Sequence, residues 1–307
     1  LVVHVFNPSH DEALAINSAQ YCPSSAARKM AGKLWDVAKY WAKADDFILR
    51  LPDNGSIKGV DVPDWNHVEE IQPWGWDRHI VGVLRKLGAP DHLLPNEKQL
   101  DVIRELSSRK TTVRIMQELG FENRWCKNED EVLNAIESFH GKAFLKAPWS
   151  CSGRGVWLGY NEEKTLLRVR KILREQGAVE VEPVHHRVAD FAMEFWSDGK
   201  GSIQYEGLSF FATAENGAYQ GNLIAPQSVI EEKILDFKVC TAQDLQRVRT
   251  QISAVLASII SHHYRGPLGV DMMLTPQGIV PCIEVNLRNT MGRVAIFQQK
   301  MQENADF

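Results

Sequence analysis

Two apolar segments in the last third of the chain carry acidic and amide residues at regular spacing, and this restricts the folds open to it. Pro267 to Leu274 (PLGVDMML) and Ile279 to Asn286 (IVPCIEVN) flank the turn sequence Thr275-Pro276-Gln277-Gly278, so they read as a β-hairpin. With Thr275 to Gly278 taken as a four-residue loop, Leu274 faces Ile279 and Asp271 faces Cys282. Glu284 then shares the face of Asp271 diagonally, about 7–8 Å away between backbones. Asn286 and Arg288 continue that face at period two. Two carboxylates and an amide oxygen converge where apolar side chains would otherwise pack, and Mg²⁺ takes such oxygen ligands beside phosphate and water. The plain alternative is a half-exposed hairpin with its polar face in water. A register one residue different would send Asp271 and Glu284 to opposite faces.

The rest of the chain bounds the setting. At 307 residues it needs more than one core, and two or three coupled subdomains are expected. A net charge of −4 argues against a sequence-independent grip on nucleic acid. No apolar run approaches the ~20 residues of a membrane helix, and the N-terminus has no signal-like stretch. It opens without Met, so a few leading residues are expected to be missing. The five cysteines include no Cys-x-x-Cys, which favours free thiols in a reducing, cytoplasmic compartment over disulfides or zinc. The nine tryptophans are expected at subdomain interfaces.

Strand and helix signals alternate over residues 1–95, which reads as a small α/β domain. Val2 to Phe6 is a buried strand, Ser24 or Ser25 caps a helix with apolar positions from Ala27 to Trp41, and Phe47-Ile48-Leu49 is a second strand. A central unit (96–180) follows. Asn96 caps a helix to Leu106, and further helices run over Thr112 to Leu119 and Glu129 to His140, with Gly120 and Gly141 as stops. Strands at Ala143 to Ala147 and Val156 to Gly159 bracket a Gly/Ser loop, and Glu162 to Gln176 is helical. The third unit (181–307) is rich in strands to Leu223. Thr241-x-x-Asp244 then forms a capping box for a helix reaching His263, before the closing hairpin.

Two more segments carry chemistry. In Phe144-Leu145-Lys146-Ala147-Pro148-Trp149-Ser150-Cys151-Ser152-Gly153-Arg154-Gly155-Val156 a Lys ends a strand and a small-residue loop follows. Small residues let backbone N–H groups approach phosphate, with Lys146 and Arg154 supplying charge. A hairpin loop with surface charges explains the same pattern. Val179-Glu180-Val181-Glu182-Pro183-Val184 ends a strand in a Pro-containing connection that offers backbone groups to an adenine edge, and Asp190 beyond it suits ribose hydroxyls. A surface strand end is the alternative. Asn7-Pro8-Ser9-His10-Asp11-Glu12 follows the first strand, where open α/β sheets form ligand crevices. It is read as part of an acceptor-substrate site or as a capped turn. Trp74-Gly75-Trp76-Asp77-Arg78 lines the same cleft or forms an aromatic corner, and Glu215-Asn216-Gly217-Ala218-Tyr219 is a turn or a substrate wall. The pairs His185-His186 and His262-His263 lack metal-ligand spacing to a third donor, and His185 borders the adenine hinge.

Taken in order, these pieces resemble the ATP-grasp superfamily of carboxylate–amine ligases. The order is Arg109, Lys146, Ser150 to Gly155, Glu182 to Val184, Asp190, Asp271 and Glu284-Val285-Asn286. The loop is similar to that of formate-dependent glycinamide ribonucleotide transformylase. The ending Glu284-Val285-Asn286-Leu287-Arg288 is similar to biotin carboxylase and carbamoyl phosphate synthetase. The resemblance spans residues 105–293. It implies an α/β and α+β architecture: an ATP-grasp fold preceded by a small N-terminal α/β (pre-ATP-grasp-like) domain. It implies that Lys146 and Arg109 (or Lys110) contact ATP phosphates, that Ser150, Ser152, Gly153, Arg154 and Gly155 close over them, and that Glu182 and the Val184 backbone meet adenine. Asp190 stands where Glu is usual at the ribose. Asp271, Glu284 and Asn286 would hold Mg²⁺, with Mn²⁺ as a substitute, while Arg288, Lys146 and Arg154 would act in catalysis. Small-molecule or peptide carboxylates and amines would be the substrates, a homodimer is compatible with this, and neither nucleic acid nor membrane is a partner. The other readings left open are a non-catalytic ATP/ADP-binding regulator and a kinase-like phosphotransferase on the same fold.

Overall fold

A computed structural model describes residues 1–52, 57–150, 155–214 and 219–305. Among these, β1 (Val2–Val5), β2 (Phe47–Leu49) and β3 (Glu70–Pro73) form a parallel sheet in the order β2-β1-β3. Parallel strands require crossovers. Between β1 and β2 these are α1 (His10–Ile16), α2 (Ser25–Leu34) and a 3₁₀ turn at Val37–Tyr40. α3 (Arg78–Lys86) follows β3 and buries Ile80, Val81 and Leu84 against Val3, Val5, Leu49 and Ile71. Ser24 caps α2 as expected, but the helix stops at Leu34 and buries none of its residues. Its alanines favour helix without any apolar stripe to bury, and burial in this stretch falls instead on Val37 and Ala38.

Two helices, α4 (Glu97–Leu106) and α5 (Arg109–Glu118), lead to a second sheet. Asn96 and Gln99 close a capping box on α4, and Ser108 caps α5, which begins at Arg109, three residues ahead of the expected start at Thr112. The sheet contains β4 (Arg124–Cys126), β5 (Lys142–Lys146), β6 (Val156–Tyr160) and β7 (Val179–Glu182), ordered β4-β7-β5-β6 and antiparallel throughout. α6 (Glu129–Ser138) and α7 (Glu163–Gln176) cover one face. Alternation sets the two faces: Leu145, Val179 and Val181 pack with Val132, Ile136 and Val169, which leaves Lys146, Glu180 and Glu182 for the other. Ile103, Ile115 and Met116 of α4 and α5 do not join this core; they pack into the C-terminal one.

The third sheet is antiparallel, in the order β10-β9-β8-β11-β12. Its strands are β8 (Ala189–Asp198), β9 (Ile203–Thr213), β10 (Tyr219–Asn222), β11 (Arg265–Thr275) and β12 (Gly278–Asn286). α8 (Gln227–Leu235) and α9 (Ala242–Ile259) pack on it, and Thr241 with Asp244 forms the expected capping box on α9. A last helix, α10 (Met291–Ala305), had no counterpart in the sequence expectations. Val294 packs with Phe6, Val37 and Trp74, so this helix finds part of its apolar partner surface in the N-terminal unit. Among the described residues no helix is long and apolar enough to cross a membrane. Cys22, Cys126, Cys240 and Cys282 are free thiols.

The closing hairpin departs from its expected register. Thr275 pairs with Gly278, so only Pro276 and Gln277 lie between them. Leu274 faces Ile279 as expected, but Asp271 faces Glu284 and not Cys282, because the register shifts between Asp271 and Met273. Opposite the single residue Met272, β12 fits Pro281, Cys282 and Ile283. Pro281 has no N–H to give the ladder, and an irregularity of this kind bends a strand and re-aims its side chains. The two acids thus stand directly across from one another.

Candidate active site

The cleft lies between the polar face of the central sheet, the β11–β12 hairpin and the C-terminal edge of β1. On the central sheet, Lys146 and Glu182 are both almost fully buried, and the Lys146 ammonium lies 2.8 Å from the Glu182 carboxylate. The ammonium also donates to the carbonyl of Ile283 at 3.2 Å, which ties β5 to β12. Asn123 donates to Glu180 at 2.9 Å and to Glu182 at 3.4 Å. Burial raises the Glu180 carboxyl above its ordinary range, with Lys146 pulling the other way. The Glu182 side chain therefore braces Lys146 and accepts from Asn123. Past this hinge, the buried Nε2 of His185 has no hydrogen-bond partner among the described residues.

Arg109, at the first turn of α5, reaches Glu284 at 2.9 Å and donates to the Ser150 hydroxyl at 3.3 Å. Burial opposes its charge, but Glu284, Glu180 and Glu182 raise its pKa and keep it protonated. Its Nε is buried with no partner among the described residues. Lys110, the alternative cation, pairs with Glu105 in the open and lies outside the cleft. The loop after β5 is closed at its base, where Ala147 N–H donates to the Gly155 carbonyl at 2.8 Å. A Cβ on Gly155 would lie 2.3 Å from that of Ser150, so only glycine allows this approach. Ser152, Gly153 and Arg154 lie outside the described residues, as do the first four residues of the Glu215 to Tyr219 segment.

The hairpin supplies the acids. Asp271 and Glu284 oppose each other, and Asn286 donates to Asp271 at 3.2 Å. Desolvation, then the Glu284 charge, push the Asp271 carboxyl up to about 7. On the same face of neighbouring β8, Asp190 accepts from Thr213 at 2.5 Å and from Arg187 at 3.2 Å. Among the described residues, no group of three or more His, Cys, Asp or Glu forms a metal cluster. The donor set on the hairpin is two carboxylates and one amide.

Arg288 sits where the hairpin meets the N-terminal unit. Its guanidinium grips Asp11 through two hydrogen bonds, 3.0 and 2.9 Å, and a third reaches the Asn286 amide oxygen at 2.9 Å. Against its burial, this pairing holds the Asp11 carboxyl below its usual range. Next to it, His10 Nδ1 is 3.1 Å from the Asp77 carboxylate, and both side chains are almost completely buried. Asn7 donates to the same Asp77 oxygen at 3.1 Å and to the Gly75 carbonyl at 2.9 Å. The Asn7 to Asp11 and Trp74 to Arg78 segments thus meet in one network, while Trp74 packs edge-on against Phe6 at 4.8 Å. A small cavity is lined by His10, Asp11, Ser150, Glu284 and Asn286, so the segment after β1, the loop after β5 and the end of β12 border one space. A larger cavity, about 510 Å³, lies apart from these residues and is lined by Phe121, Phe139, His140, Lys142, Val184 and His186.

Sequence reasoning missed the pairings of Arg288 with Asp11 and of His10 with Asp77, as well as Asn123 and Glu194. Glu194 on β8 is fully buried; Thr290 donates to it at 2.8 Å and Ser209 at 3.2 Å. Burial raises its carboxyl to about 8. The one signal it gave was an acid inside the otherwise apolar run Phe191 to Phe195.

No family model matches the sequence, and no curated protein matches it. Solved structures do. D-alanyl-alanine synthetase A from Vibrio cholerae superposes with a TM-score of 0.58 at 13% identity, over 99% of this chain and 92% of that one. Biotin carboxylase from Campylobacter jejuni, in a β,γ-ATP complex, gives 0.58 at 14% identity, over 97% of this chain and 69% of that one. The biotin carboxylase domain of the Hydrogenobacter thermophilus 2-oxoglutarate carboxylase, bound to MgADP, ADP and bicarbonate, gives 0.57 at 12% identity over 98% of this chain. This chain spans 64% of the length of that carboxylase domain. At such identities the likeness is one of architecture: the chain has the ATP-grasp fold.

Proposed function

We propose that this protein is an ATP- and Mg²⁺-dependent ligase that activates a carboxylate as an acyl phosphate for attack by an amine. One observation carries the reading. Glu284 and Asn286 line the small cavity beside Ser150, and the rest join them by direct contact: Asn286 donates to Asp271, Arg109 pairs with Glu284, and Lys146 donates to the Ile283 carbonyl on the same strand. Each half is complementary to one part of a metal–triphosphate: cations and loop N–H groups to phosphate oxygens, the acid set to a divalent ion.

The residues fit such a ligand. Arg109 Nε is a buried donor awaiting an acceptor, and Gly155 leaves the close backbone approach that a phosphate cradle needs. Asp271 and Glu284 face one another, and a divalent cation between them would lift the repulsion that raises Asp271. Mg²⁺, or Mn²⁺ in its place, would neutralise charge on the transferred phosphoryl group. Arg109 pairs with Glu284, and exchanging that partner for phosphate would leave Arg109 with an anionic partner. Lys146 and Arg109 orient the phosphates, the hinge at Glu182 to Val184 with His185 meets the base, and Asp190 faces the ribose. Arg154, in the loop, adds charge over the phosphates, with Ser152 and Gly153 closing beside it. Arg288 steadies the carboxylate being activated and the charge that builds on it. Small-molecule or peptide carboxylates and amines are the substrates.

The test is incubation with ATP, Mg²⁺ and pools of carboxylates and amines. ADP and phosphate with an amide product are expected. A stable phosphorylated product would make the protein a kinase-like phosphotransferase. Tight nucleotide binding without turnover in every pool would leave a nucleotide-binding regulator.

A further inference from the structure

The substrate-facing wall contains a histidine held as though for proton transfer. His10 and Asp77 come from the loops after β1 and β3, and each is almost completely buried. Asp77 is fixed before His10 meets it: one oxygen accepts the Ile80 N–H at 2.8 Å as the cap of α3, and the other accepts Asn7 at 3.1 Å. His10 Nδ1 lies 3.1 Å from that second oxygen. A carboxylate can only accept here, so Nδ1 carries the hydrogen, and in the neutral ring the lone pair is on Nε2. The ring rests on Gly75, where a Cβ would come within 2.6 Å of it, so the glycine is the space the imidazole occupies. His10 borders the small cavity that Glu284, Asn286 and Ser150 line, and its neighbour Asp11 holds Arg288.

We propose that His10 is the general base that deprotonates the attacking amine, with Asp77 as its positioning residue. The inference rests on the ligase reading above. An amine enters at neutral pH as an ammonium ion, which has no lone pair to attack with. Nε2 takes one proton, and the freed pair forms the C–N bond at the acyl carbon. The C–O bond to phosphate breaks, phosphate leaves with that electron pair, and the second nitrogen proton passes to it. The amide and hydrogen phosphate result, and His10 returns its proton to solvent. Asp77 stabilises the transient imidazolium and fixes the tautomer.

Two nucleophiles separate this step from activation. Hydroxylamine is largely unprotonated at neutral pH and needs no base, whereas ammonium and amino acids do. The protein is assayed with ATP, Mg²⁺ and a pool of amino acids and dicarboxylic acids as carboxylates. Hydroxylamine traps the acyl phosphate as hydroxamate; ammonium or amino acids give the amide. His10→Gln is expected to keep hydroxamate formation within about twofold while amide formation falls about 100-fold. Gly75→Ala, which displaces the ring and leaves both members of the dyad in the chain, is expected to show the same split to a smaller degree. Equal loss of both reactions in both variants would overturn the proposal, as would amide formation unchanged in His10→Gln. A wild-type protein that forms hydroxamate but no amide would overturn it too. Wild-type protein that forms no hydroxamate would instead remove the ligase reading, and the proposal would fall with it.

Discussion

The two sides of the cleft handle buried charge differently. On the central sheet a buried cation sits among the acids: Lys146 pairs with Glu182, and Glu180 beside them, raised by burial, accepts from Asn123. On the C-terminal sheet acids outnumber cations. Asp271 faces another acid and is raised to about 7, and Glu194 lies beneath with hydroxyl partners only and is raised to about 8. The central side is thus finished around Lys146 within the chain, whereas facing acids without a cation keep a repulsion that a bound divalent ion would relieve.

The largest expected effect comes from unmatching the finished side. Lys146→Met strands Glu182, and denaturant unfolding should show a loss of about 3–5 kcal/mol. Adding Glu182→Gln should recover most of it, and a double variant no more stable than Lys146→Met would break the comparison. Next, Glu284→Gln should lower Mg²⁺-dependent turnover by about two to three orders of magnitude, with adenine-nucleotide affinity largely kept. Turnover at the wild-type rate would remove Glu284 from the metal set. Third, Asp271→Asn should abolish stabilisation by Mg²⁺ in thermal melts, yet match or exceed wild type in chelator, because one of two facing charges is gone.

The smallest effect sharpens the contrast through pH. The Glu194 carboxyl is raised in the folded state, so its contribution to stability is complete below the ordinary carboxylic range and is lost as pH rises through about 8. Glu194→Gln keeps the shape and removes the titration. It should lie within about 1 kcal/mol of wild type near pH 5 and gain on it as pH rises to 8.5. Parallel melting curves for the two proteins across that range would show that Glu194 does not titrate with folding.

Much of the site was legible because its chemistry runs along single strands. Period-two spacing put Glu284, Asn286 and Arg288 on one face, and the hairpin register brought Asp271 to it. The Asp271 partner was misjudged because a hairpin register counts residues evenly, and the irregularity around Pro281 takes up two extra residues. Pro281 was the visible clue. The pairing of Arg288 with Asp11 joins residues 277 positions apart, and that of His10 with Asp77 joins residues 67 apart. No local period reports such contacts.

What the sequence determined by itself was the strands and loop that carry Lys146, Glu182, Asp271 and Glu284, the caps at Asn96 and Thr241, and which residue types share a strand face. These depend on backbone period and on hydrogen bonds spanning three or four residues, so local sequence suffices. The tertiary structure decided which charges meet. Lys146 meets Glu182 across paired strands of one sheet and His10 meets Asp77 at the ends of two paired strands, so strand order sets both; placing Arg109 on Glu284 and Arg288 on Asp11 depends on how separate sheets pack, and that is settled by burial summed over whole cores. The hairpin supplied the acids from sequence alone; only the packed cleft set them beside the cations that give them a use.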